Sequence, residues 1–197
     1  VECPNPACGV EAPLVKTFQL SAGTRGGRQA AYVVPEPTGT TGKITYHVKH
    51  GSTAPIAGTV KRNGARCLVC DSPISLDYIR ESGQSGRVDA VPIAMVAQSS
   101  RQRLYLSCDE ASQEAAKRAM SSPGAANIPT TDLPASALGF RVQRYGISTH
   151  AGIFSKRQLL ALSTFGDLVQ EAANVAGKAS TSDYANGLAV YLAAAVD

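Results

Sequence analysis

Apolar and polar residues alternate over 13–20 (PLVKTFQL), and that period of two predicts a strand. The Gly-rich SAGTRGGR reads as a hairpin loop, and 29–34 (QAAYVV) as the return strand. After a loop PEPTGTTG, residues 43–49 (KITYHVK) place Ile44, Tyr46 and Val48 on one face of a third strand. A further short strand is expected before Cys67. Residues 75–82 (SLDYIRES) predict one or two helical turns with Ser75 as N-cap. A hairpin is expected from 91–98 (VPIAMVAQ) and 103–106 (RLYL) across SSRQ. Residues 109–120 (DEASQEAAKRAM) predict a helix, acidic at its start and closed by Lys117 and Arg118. Residues 121–137 read as loop.

Two helices are expected at the end. Ser155 with Gln158 forms a capping box, and Leu159, Leu162, Phe165, Val169, Ala172 and Ala176 fall on one stripe. The second helix starts near Ser182, with Tyr184, Leu188, Tyr191, Leu192 and Ala195 on one face. Both stripes read most simply as core. The fold class is therefore α+β: an N-terminal zinc-ribbon-like antiparallel β-sheet, a mixed α/β middle and C-terminal helices. The expected division is 1–74 for the β domain and 75–197 for the α+β segment. The opening beside a cysteine motif and the close inside a helical pattern read as a fragment of a larger protein, with the last helix packing on something missing.

Composition narrows the class. The chain has 197 residues, 44% hydrophobic and 17% charged, which is globular and not disordered. No apolar run reaches the ~20 residues of a membrane span, and no signal peptide opens the chain, so a cytoplasmic protein without a membrane partner is expected. Residues 1–70 hold eight Lys and Arg against three Glu, a net of +5, whereas the rest of the chain carries −1. Such a bias suits either a polyanion partner or a plain soluble basic surface.

The cysteines carry the clearest chemistry. Cys3 and Cys8 form C-P-N-P-A-C-G, and Cys67 and Cys70 form C-L-V-C-D. Two pairs on short turns read as a four-thiolate site for a structural Zn²⁺, because a tight turn aims two sulfurs at one ion. Buried free thiols or a redox C-x-x-C are the alternatives. The four-residue spacing of the first pair and the 58 residues between pairs are unusual for a zinc ribbon. Cys108 reads as a small packed residue.

Catalytic motifs are missing. GTRGGR is neither a P-loop nor a dinucleotide fingerprint. No G-x-S-x-G or H-E-x-x-H occurs. His47, His50 and His150 read as surface or hydrogen-bonding residues. Lys61, Arg62 and Arg66 beside the second cysteine pair are candidates for DNA phosphates, and Arg141, Arg144, Lys156 and Arg157 weaker ones; a solvated face is the plain alternative. Little aromatic interleaving argues against a base-stacking platform.

Three long blocks, CPNPACGVEAPLVKTFQLS, GTVKRNGARCLVCDSPISLDYIRESGQSGR and YGISTHAGIFSKRQLLALSTFGDLVQEA, are followed by YANGLAVYLAAAVD. Together they resemble the central region of zinc-ribbon-containing adenine-specific DNA methylases, a phage-defence-associated group. The resemblance implies Cys3, Cys8, Cys67 and Cys70 as zinc ligands. It implies a parent enzyme that uses S-adenosylmethionine through a D-P-F-A-G-G-G-like loop and a D-P-P-Y-like motif, neither of which this chain contains. The chain is then expected to be a non-catalytic segment that assists DNA binding, with the catalytic domain and DNA as partners and without donor binding of its own. The alternative is a zinc-stapled protein-interaction module. A self-contained enzyme is the third and least supported reading.

Overall fold

The computed structural model describes residues 1–23, 29–38, 42–51, 57–99, 102–121, 128–135, 139 and 141–196. The fold is α+β, as the periodicities predict. Contacts divide it into two compact units: Val1–Glu114 with Leu138–Ile147, and Ala115–Ala137 with Ser148–Asp197.

In the first unit β1 (Gln19–Ser21), β2 (Ala31–Thr38) and β3 (Lys43–His50) form an antiparallel sheet in that order. On β3, Ile44, Tyr46 and Val48 are half-buried while their neighbours are exposed, as alternation requires. Phe18, Ala31 and Val33 are fully buried. Two details depart from the sequence expectation. β2 runs on through Pro35 and Pro37, paired with Tyr46 and Ile44, instead of ending in a loop. Among the described residues the chain before β2 covers it no further than Val33, whose N donates to Phe18 O at 2.8 Å, so both prolines lie on that edge beyond the cover, where a missing N–H costs no ladder bond. The expected strand over 13–20 is also shorter. Residues 13–17 run instead against 57–60, where the Thr59 hydroxyl donates to Pro13 O at 2.6 Å and accepts from Val15 N at 2.9 Å. Parts of the expected loops, residues 24–28, 39–41, 100–101, 122–127 and 136–137, lie outside the described residues.

A second antiparallel sheet follows: β4 (Val60–Lys61), β5 (Gly64–Arg66) and β6 (Pro73–Ser75). The 58-residue stretch between the cysteine pairs thus feeds two sheets, not one. Helix α1 (Leu76–Gln84) starts at the expected cap, with Ser75 Oγ accepting from Tyr78 N at 3.2 Å. It packs on β5 and β6 and buries Ile79. A 3₁₀ turn, Val142–Tyr145, returns from far along the chain to lie on α1. Two glycines permit the approach. A Cβ on Gly83 would stand 2.4 Å from Tyr145 O, and one on Gly146 would stand 2.4 Å from Gly83 O.

The hairpin of β7 (Met95–Gln98) and β8 (Arg103–Leu106) hangs on β3 through Val48 N to Ser107 Oγ at 2.8 Å. Helix α2 (Glu110–Ser121) is capped by Asp109, whose Oδ1 accepts from Ser112 N at 2.8 Å.

In the second unit α3 (Lys156–Ala179) begins with the predicted capping box and packs on α4 (Ser182–Val196). The expectation that both stripes are core holds only on the side where the helices meet. Ala185 is buried, whereas Phe165 is 55% exposed and Tyr191 80%. Two helices in contact can cover only one side of each other, so the opposite apolar residues remain open. Among the described residues no helix is long and apolar enough to cross a membrane.

Candidate metal centre

Backbone turns bring the first pair of thiols together. Asn5 O accepts from Cys8 N at 2.9 Å and Gly9 N at 3.1 Å, and Asn5 Oδ1 accepts from Ala7 N at 3.1 Å. Gly9 then takes a positive φ of 55°, which a glycine adopts without cost. The second turn is built alike: Asp71 N donates to Cys67 O at 3.1 Å, and Val69 N points at Cys67 Sγ at 3.5 Å. Asn5 Nδ2 donates to Ser72 Oγ at 3.3 Å and ties one turn to the other.

The four sulfurs of Cys3, Cys8, Cys67 and Cys70 all lie within 4.8 Å of one another. Cys3 Sγ is 3.6 Å from Cys70 Sγ, and Cys8 Sγ is 3.8 Å from Cys67 Sγ. A tetrahedral ion with metal–sulfur bonds of about 2.3 Å needs sulfurs about 3.8 Å apart. The spacing therefore fits a tetrahedral metal, and all five cysteines of the chain are free thiols. The cluster can hold a metal ion. It also belongs to the unit's core: Cys3 and Cys67 are buried with Val10, Ala12, Ala65, Ile74 and Ile79.

The thiols are electrostatically unequal. Burial pushes Cys3 up to about 12, with the neighbouring Cys70 and Cys67 adding to it. Hydrogen bonds from the Ser72 side chain and amide pull Cys70 down to about 6. Four packed sulfurs cannot all carry charge without a cation among them. A bound divalent ion reverses that balance and deprotonates its ligands.

The basic residues separate into two kinds. Lys61 and Arg62 sit exposed at the tip of the β4–β5 hairpin. Arg66 turns back: its Nη1 donates to Asp71 O at 3.0 Å and pairs with the Asp71 carboxylate. Asp71 has φ 56°, a left-handed conformation at the residue after Cys70. Arg66 therefore braces the second cysteine turn. Nothing in the sequence marked that role except the C-D dipeptide. Arg141 and Arg144 are exposed on the 3₁₀ turn beside α1, within the same unit. Lys156 and Arg157 lie in the other unit, at the start of α3.

The three histidines each meet a different partner. His47 faces Glu36 at 3.8 Å, His50 Nε2 meets Tyr105 O at 3.1 Å, and His150 Nδ1 meets Thr131 Oγ1 at 3.0 Å. Cys108 is half-buried between β8 and α2, away from the four-cysteine group.

The fold and site together define an α+β chain with a four-cysteine cluster able to hold a metal ion. No family model, no curated protein and no solved structure matches the chain.

Proposed function

We propose that the chain is a zinc-stapled, non-catalytic module that presents a basic hairpin to DNA, within an adenine-specific DNA methyltransferase. The convergence of four thiols at tetrahedral spacing is the observation that carries the reading. A borderline-soft ion with four sulfur ligands has no open position, so its role is structural. Cys3, Cys8, Cys67 and Cys70 hold it. A redox pair needs two sulfurs, not four converging ones. The block resemblance to zinc-ribbon-containing DNA methylases supplies the parent enzyme. Donor binding and methyl transfer then belong to the rest of that enzyme.

Lys61 and Arg62 are the DNA-facing cations, because they are exposed and stand on a hairpin that the metal core braces. Arg141 and Arg144 extend the basic surface from the 3₁₀ turn. Arg66 is exposed beside them and shares its charge with Asp71.

Elemental analysis on protein purified without added metal comes first, and about one zinc per chain is expected. Duplex-DNA anisotropy over a salt series then tests the surface. Two phosphate contacts contribute about −1.8 to the slope of log affinity against log salt, and the pair Lys61→Glu and Arg62→Glu removes that share. Zinc without salt-dependent DNA binding leaves the second reading, a structural protein-interaction module. No zinc and freely reacting thiols overturn both.

A further inference from the structure

The four sulfurs of the cluster differ in what can reach them. Cys3 and Cys67 are buried, whereas Cys8 and Cys70 are half-buried. Each turn thus carries one covered thiol and one open to solvent. The short contacts cross between turns: Cys70 Sγ lies 3.6 Å from Cys3 Sγ, and Cys8 Sγ lies 3.8 Å from Cys67 Sγ. In both, an open sulfur of one turn meets a covered sulfur of the other. An oxidant's target beside the thiol that resolves it has this arrangement, and the cluster holds it twice.

We propose that hydrogen peroxide exchanges the metal for two disulfides, Cys3–Cys70 and Cys8–Cys67, which then hold the same two turns together. The inference rests on the zinc reading of the cluster. The Cys70 thiolate attacks one peroxide oxygen. The O–O bond breaks, and the departing hydroxide takes a proton to become water. The Cys3 thiolate then attacks the Cys70 sulfenic sulfur. An S–S bond forms, the S–O bond breaks, and a second hydroxide leaves as water. Two thiolates, one peroxide and two protons thereby give one disulfide and two waters. Cys8 and Cys67 repeat the sequence with a second peroxide. The ion leaves because its ligands must be thiolates, and none remains.

The pairing decides whether the fold survives. Bridges inside each turn would leave the two turns without a covalent or metal link. The cross-turn partners are 67 and 59 positions apart, so each bridge restricts the unfolded chain far more than one inside a turn. The first unit therefore keeps its core after oxidation although it loses its metal.

The test uses the full chain, with zinc measured beforehand, and hydrogen peroxide added to two equivalents. A metallochromic dye should record release of all the zinc. One thiol of the five should still titrate, that of Cys108. A non-reducing tryptic digest should link residues 1–16 to residues 67–80, and fragmentation should pair Cys3 with Cys70 and Cys8 with Cys67. With a chelator present, the amide resonances of Val10, Ile74 and Ile79 should stay dispersed in the oxidised chain and collapse when dithiothreitol is added. Any other pairing overturns the inference and leaves the zinc reading standing. So do sulfinic acids in place of bridges, zinc that stays bound, or an oxidised chain whose resonances collapse before reduction. A chain without zinc at the outset overturns the zinc reading, and this inference with it.

Discussion

The crossing of Gly83 and Gly146 gives the sharpest test of the fold. Gly83 lies inside α1, where replacement by Ala should stabilise a helix by about 1 kcal/mol. The tertiary structure opposes this. The new Cβ would stand 2.4 Å from Tyr145 O and 3.2 Å from Tyr145 Cα, and both are backbone atoms that cannot swing aside. Gly146 is worse placed. Its φ is 87°, where an L residue pays about 1–2 kcal/mol, and its Cβ would strike Gly83 O at 2.4 Å. Overpacking of this kind adds about 1–3 kcal/mol, and the stiffer unfolded chain returns about 0.4–1. Gly146→Ala should therefore cost about 2–4 kcal/mol of docking. It should also loosen the bond from Gln84 Nε2 to Arg144 O, now 3.2 Å. Trypsin reports the opening directly, because Arg141 precedes the turn and Arg144 lies within it. Cleavage there should rise about 30-fold or more, following the open population. Once the turn is displaced, the obstacle to a Cβ at 83 has gone. Gly83→Ala should then destabilise the parent chain but stabilise the Gly146→Ala chain, measured by urea denaturation. Equal effects in both backgrounds, or unchanged cleavage after Arg141 and Arg144, would refute the crossing.

Three further outcomes are expected. A strong chelator, or Cys67→Ser, should collapse the amide resonances of Val10, Ile74 and Ile79 while those of α3 and α4 persist. The reason is that a structural zinc held by these thiols would contribute about 10–16 kcal/mol, as much as a whole domain's stability, and the thiols sit in the first unit's core. Unmoved resonances after verified metal removal would count against the staple. At Asp71, the Gly substitution should be more stable than the Ala substitution by about 1 kcal/mol, because the left-handed φ of 56° favours glycine; equal urea midpoints would contradict it. Asp109 is held below the usual carboxylate range by the Ser112 side chain and amide. Its capping contribution is thus present above the ordinary Asp value and lost as pH falls through the lower folded one. Amide shifts of Ser112 across an acid titration should report this, and Asp109→Asn should flatten the response.

The four-cysteine cluster was legible early because cysteine spacing is local: each turn is written in six or fewer residues. That the two pairs meet is a long-range fact, which the spacing suggested and the fold supplied. Helix starts were equally plain, since Ser75 and Ser155 satisfy amides only three residues away. Periodicity also gave β3, the hairpin of β7 and β8, and the helices.

Tertiary structure alone decided the rest. Pairing partners are not encoded in period, so nothing local said that residues 13–17 would leave the first sheet to meet Thr59, or that β2 would continue through two prolines. The ion pair of Arg66 with Asp71 likewise depends on a turn that folds back five residues later, and no local pattern announced it. The return of Val142–Tyr145 onto α1 depends on two glycines 63 positions apart whose missing Cβ atoms permit one backbone crossing. Finally, an apolar stripe says that a face avoids water but not what covers it. On α3 and α4 only packing could show that one side is covered by the other helix and the opposite side lies open.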